Sequence, residues 1–424
     1  MKFKPFHVHA HYVDIDPSVR IEPVRFHAPD GFPLNGLLHL PAKNTPEVAV
    51  LAMHPRGDFS RHYLAPGLVN GGYAFLGANS RHLNNDADAL HERLLIDVAG
   101  SIRFLKDRGF KKIILAGNSG GGSLFAFYIQ QSGLPPDQRF DSGPSGDKVP
   151  LREVELPPVD GFIILAAHPG EGRFLMDRLD PSVVDETSPT ACNPRLDMYN
   201  PKNGYRPMHE GPSKYSPDFL AEYRAAQRQR CERIDRLCKE WSAESLYYRA
   251  RLKDPARLTP AEMLMASRHG LQRRYLVIYR TLADPRYLDP AIDPNRRPIG
   301  SLFAQGGRDP IAGNYGEGLS RVMSARGWLS TWSGLESRAA LELTAPSIRI
   351  PTHMVYADAD TEIYERECRA AYGLIPATDK TFTTMEWADH YLFPVGSEGQ
   401  SRGNARQKLC EDALLPWLKQ RWPV

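Results

Sequence analysis

Between Ile113 and Tyr128 the chain reads IILAGNSGGGSLFAFY: an apolar run, a serine set among four glycines, and a second apolar run. The first run suits a buried strand and the second a helix, so the glycines mark a sharp strand-to-helix turn. Small residues are needed where the two segments cross, and Gly117 and Gly121, two before and two after Ser119, meet that need. Such a turn lifts the serine hydroxyl clear of the backbone and sets it at a helix N-terminus, where N–H groups can bind negative charge. A glycine-rich turn can also hold phosphate, but the G-x-G-x-x-G spacing is absent, because Ser119 stands where the second glycine would be. Ser119 is therefore the candidate nucleophile. The N–H of Gly120, which follows it, is a candidate donor to an oxyanion, an interaction worth roughly 3 kcal/mol in comparable sites.

The surroundings of the turn say what sheet it belongs to. LNGLLHL, VAVLAMH and YAFLGAN read as strands, LLIDVAGSIRFLKDRGF as a helix, and KKIILAG as the strand entering the turn. A Pro/Gly-rich surface excursion follows, and then another buried strand, VDGFIILAA. Strand and helix in alternation predict a mostly parallel sheet with helices on both faces. From Gly170 the texture changes to helices and irregular links. Ser216-Pro217 opens a helix expected to run through Trp241, and Thr259-Pro260-Ala261-Glu262 is a capping box before a Tyr- and Arg-rich helix. The strands IPTHMVYA and TFTTMEWA and the helix ARQKLCEDALLPWLKQRW then close the chain. Residues 1–169 and 346–424 are thus expected to form one core, with 170–345 a large, mainly helical cap inserted before the last two strands.

Composition excludes several classes of function. A formal charge of +3 with no long block of one sign gives no reason to expect nucleic acid or an anionic membrane as partner. The opening MKFKPFHVHAHYVDID lacks an apolar segment and no run is long enough to span a bilayer, so the expected location is the cytoplasm. The five cysteines form no C-x-x-C and read as reduced, buried thiols.

A nucleophilic serine needs a base, and the base an orienting carboxylate. THMVYA ends in Ala357-Asp358-Ala359-Asp360-Thr361, placing two acids at the carboxyl edge of the sheet, the edge on which the Ser119 turn must lie. TFTTMEWA is followed by Asp389-His390-Tyr391. Serine, then acid, then histidine is the chain order of one triad family.

On GNSGG, YADAD, WADHYLF and the HPRG that follows VAVLAM, the chain resembles the α/β-hydrolase superfamily. The likeness spans 19–169 and 348–422 and leaves the cap without a counterpart. It implies Ser119 as nucleophile, His390 as base and Asp360 as acid, with Asp358 the competing acid. It also implies a second oxyanion donor from the loop after VAVLAM. Pro55 has no N–H, so the donor is expected to be the backbone of Arg56, with Gly57 the alternative. The other histidines, His54, His82, His91, His168, His269 and His353, read as packing or loop residues. His7, His9 and His11 share one face of an extended stretch, but no partner for a metal site is marked, so an edge strand or arm is expected there. The resemblance implies hydrolysis of a small-molecule carboxylic ester with no cofactor and no metal. Carbon–carbon bond hydrolysis or acyl transfer on the same triad is the alternative, and a ligand-binding module on the same fold is the non-enzymatic one.

Overall fold

The computed structural model describes residues 12–13, 19–42, 46–83, 85, 87–300 and 309–424. His7, His9 and His11 lie outside the described residues. Ten strands are used below: β1 (Arg20–His27), β2 (Pro33–Leu40), β3 (Val48–Ala52), β4 (Ala74–Asn79), β5 (Lys112–Asn118), β6 (Gly161–Leu165), β7 (Tyr275–Val277), β8 (Val322–Ser324), β9 (Thr352–Ala357) and β10 (Lys380–Met385).

Among the described residues, eight of these form one sheet in the order β1-β2-β4-β3-β5-β6-β9-β10. β1, β2 and β4 pair antiparallel, and every pairing from β4 onward is parallel. The central strands VAVLA, AFLGAN, GFIIL and THMVYA are buried at every position. That is why they read as unbroken apolar runs, as strands covered on both faces must. One face packs α2 (His91–Asp107) and α3 (Gly120–Ser132), and the other packs α1 (Leu64–Asn70) and the helical segment 405–421. β1 was not expected from the sequence. Its RIEPVRFH is charged and carries Pro23, which an edge strand tolerates because one side needs no ladder donors.

Among its described residues, the segment between β6 and β9 adds no strand to this sheet. It opens with α4 (Glu171–Met176) and is dominated by α5, a 35-residue helix (Pro217–Arg251) that outruns the expected end at Trp241 by several turns. Ser216 caps it, accepting from the Phe219 N–H. The capping box at Thr259 and Glu262 is formed and opens α6 (Pro260–Leu271). The expected Tyr- and Arg-rich helix ends there. Gln272 is already extended, and the β-favouring Tyr275-Leu276-Val277 pairs antiparallel with Val322-Met323-Ser324 as β7 and β8. Trp328, Trp332, Cys231, Ile234 and Leu175 form a separate apolar seam in this region. All five cysteines are free; four are buried, but Cys192 is exposed, contrary to the expectation for it. Among the described residues no helix is long and apolar enough to cross a membrane.

Candidate active site

The turn after β5 has the strain its glycines were read to permit. Ser119 takes φ 54° and ψ −125°, a conformation that costs an L-residue roughly 1–3 kcal/mol and must be over-determined by its surroundings. Those surroundings are visible. The N–H of Ser119 and the carboxamide of Asn118 both donate to the carbonyl of Leu165 on β6, and Asn118 Oδ1 meets His62 Nε2 at 3.1 Å. Ser119 remains partly exposed while its neighbours are buried.

Residues from the two strands beyond the insertion converge on it. His390 Nε2 lies 3.1 Å from Ser119 Oγ, and His390 Nδ1 lies 2.8 Å from Asp360 Oδ2. The other carboxylate oxygen, Oδ1, accepts the N–H groups of Glu362 and Ile363. The competing acid is elsewhere: Asp358 accepts the N–H of Trp387 and pairs with Arg296. A strained serine after the fifth strand of an eight-stranded sheet ordered in this way meets a histidine after the last strand and an acid after the one before it. The chain folds as an α/β-hydrolase.

Electrostatics at the histidine favour a proton. Burial pushes the His390 imidazole down, but the charges of Asp360, Glu362 and Asp389 and the hydrogen bond it donates to Asp360 outweigh it, and its pKa is raised. Asp389 accepts the N–H groups of Tyr391 and Phe393 and so fixes the loop that carries His390. Burial pushes its own carboxyl up to about 6.

The loop after β3 departs from expectation. The N–H of Arg56 does not stand ready for an oxyanion. It donates to His54 Nδ1 at 3.2 Å, and the N–H of the alternative, Gly57, donates to the same atom at 3.0 Å. Past Pro55 the chain curls over the His54 ring, which takes up both donors. An Nδ1 that accepts is unprotonated, so the ring proton of neutral His54 sits on Nε2. That atom faces Gly120, 3.0 Å from where a Cβ there would stand.

His54 and His168 are therefore not bland packing residues, and the sequence reading missed Glu171 altogether. The fully buried Glu171 carboxylate lies 3.6 Å from Arg56 Nε, 3.6 Å from His168 Nε2 and 4.0 Å from His54 Nε2. The Arg56 guanidinium also lies over the ring of Trp332, 5.1 Å from its centroid, so the insertion reaches this edge of the sheet. Burial, reinforced by the charges of His390 and Arg56, holds His168 well below the usual imidazole range. A Cβ on Gly120 would stand 2.5 Å from Glu171 Oε1. Gly120→Ala is accordingly expected to cut turnover by roughly 100-fold, as a misplacement near 1 Å at the reacting centre does. Steady-state kinetics beside a thermal melt checks this: turnover should fall far more than the melting temperature.

No protein-family model matches the chain, and no curated protein does. Among solved structures it is similar to the esterase domain of a Rhodothermus marinus protein, at 13% identity over 95% of this chain and 98% of that one, with a TM-score of 0.42. An α/β hydrolase from a Penicillium species matches at 14% identity over 96% and 100%, TM-score 0.47. A Pyrococcus furiosus esterase matches at 11% over 95% and 92%, TM-score 0.40. The strand order and the strained serine turn of this chain are themselves those of an α/β-hydrolase fold.

Proposed function

We propose that the protein is a serine hydrolase that cleaves a carboxylic ester through an acyl-enzyme. The observation that carries this reading is the unbroken hydrogen-bonded chain from Ser119 Oγ through His390 to Asp360, ending on a partly exposed hydroxyl. His390 accepts the Ser119 proton as Oγ attacks the acyl carbon. The Asp360 carboxylate stabilises the imidazolium that results. The N–H of Gly120, at the start of α3, and the Nε2–H of His54 beside it are the proposed donors to the oxyanion. The imidazolium then protonates the leaving alcohol, and water repeats the sequence in reverse to release the acid. Ionisable groups rather than alkyl side chains flank Gly120, which supports a short or polar acyl group. A fluorophosphonate probe should label Ser119, and a panel of esters varied separately on acyl and alcohol sides should show turnover. A protein that is folded but neither labelled nor active on any ester would overturn the reading.

The raised pKa of His390 sets the pH dependence. The histidine must be neutral to act as base, so the acidic limb of kcat/KM should lie above the ordinary imidazole value of about 6.5. A pH–rate profile of the unaltered protein checks this, and a limb below 6 would show that Asp360 does not govern His390.

A further inference from the structure

The insertion grips the loop that carries the acid. Asn295 Nδ2 donates to the carbonyl of Asp360 at 2.7 Å and to Tyr356 Oη at 3.3 Å. The Arg296 N–H donates to the carbonyl of Asp358 at 2.8 Å, while its guanidinium pairs with the Asp358 carboxylate and lies over the Trp387 ring. That same carboxylate accepts the Trp387 N–H at 2.6 Å, and Trp387 takes the left-handed φ of 56° three residues before His390. Asn295 is itself held, because Arg297 donates to its Oδ1 from both backbone and guanidinium, and the buried guanidinium also donates to the carbonyls of Arg286, Asp289, Ile292 and Asp293. Farther along, Arg178 donates to the Glu362 carbonyl and Arg286 to the Glu367 carboxylate.

We propose that Asn295 and Arg296 are positioning residues of the triad: from within the insertion they fix the Asp360 loop and, through Asp358 and Trp387, the His390 loop at their working separation. The inference rests on the triad reading above. It gives Asp358 a role, as the post to which cap, acid loop and histidine loop are all tied. Side chains that only filled space would need no such convergence. Here one carboxamide and one guanidinium meet the two residues on which the His390–Asp360 distance depends, and a loss of even a few tenths of an ångström there is felt in the proton transfer.

The test compares Asn295→Ala, Asn295→Gln and Arg296→Ala with Lys239→Ala, which breaks only an exposed pair with Glu336 in the same insertion. The readout is the rate of Ser119 phosphonylation by a fluorophosphonate as a function of pH, which needs no knowledge of the substrate, together with kcat and KM on any ester that turns over. Asn295→Ala and Arg296→Ala are expected to lower the phosphonylation rate and kcat between roughly 10- and 100-fold, with KM little changed. The acidic limb should move down in pH as His390 loses the influence of Asp360. Glu362, Asp389 and His168 also face His390, but none of them is held by Asn295 or Arg296, so their effect stays constant across the set. Asn295→Gln should recover part of the rate, and Lys239→Ala should match the unaltered protein. A lower melting temperature with unchanged rate and limb would overturn the inference, as would a lower rate with an unmoved limb in both alanine variants. Absence of labelling in the unaltered protein would instead overturn the triad reading, and the inference with it.

Discussion

Ser119→Ala is expected to abolish labelling by a fluorophosphonate and to lower kcat on order of 10⁶-fold, the loss usual when a serine nucleophile is removed from an intact triad. The substitution takes away one hydroxyl of a partly exposed residue, whose Oγ meets His390 Nε2. The fold should therefore persist. Circular dichroism and a thermal melt should overlay those of the unaltered protein, while pre-steady-state kinetics with an activated ester in excess should show no burst. Retained turnover would move the nucleophile elsewhere.

The acid carries the second large effect. Asp360→Asn keeps the size of the side chain and its contacts with the N–H groups of Glu362 and Ile363, but presents a neutral partner to His390. A loss of about 10⁴-fold in kcat is expected, because the imidazolium loses its counter-charge and the tautomer is no longer enforced. Asp358→Asn should cost about ten-fold or less, since Asn can still accept the Trp387 N–H while only the charge facing Arg296 is lost. Measuring both variants on one ester at one pH decides between the two acids; the opposite ranking would place the acid at Asp358.

These expectations were legible because the features behind them are local. A strand, a small-residue turn and a helix are adjacent in the chain, so GNSGG announces its conformation without help from distant residues. The loops after β9 and β10 likewise place Asp360 and His390 by following strands that the sequence marks plainly. What could not be read depends on side chains meeting across long separations. Nothing near Pro55 says that the His54 ring will fold back and take the N–H of Arg56, with the ring against Phe59 and its Nε2 toward the start of α3. Glu171 lies just past β6 in what reads as the start of the insertion, and only the assembled sheet edge brings it beside Gly120. The charged edge strand β1 has too little apolar patterning to announce itself. Asn295 sits in a run of Asp, Pro and Arg that resembles any surface loop until the acid loop is packed against it.

The triad also has a history along the chain. Ser119 and His390 are 271 residues apart, and β9 docks on β6 only after the whole insertion has been made. Closing so long a loop has an entropic cost that is offset only when the last strands settle, so these contacts are expected to form late. During synthesis, which delivers the amino-terminal strands first, the serine turn can assemble while its base is still within the ribosome or not yet translated. On the mechanism proposed above, the nascent protein is expected to be chemically silent, and Ser119 to become reactive only when the carboxyl-terminal strands complete the sheet.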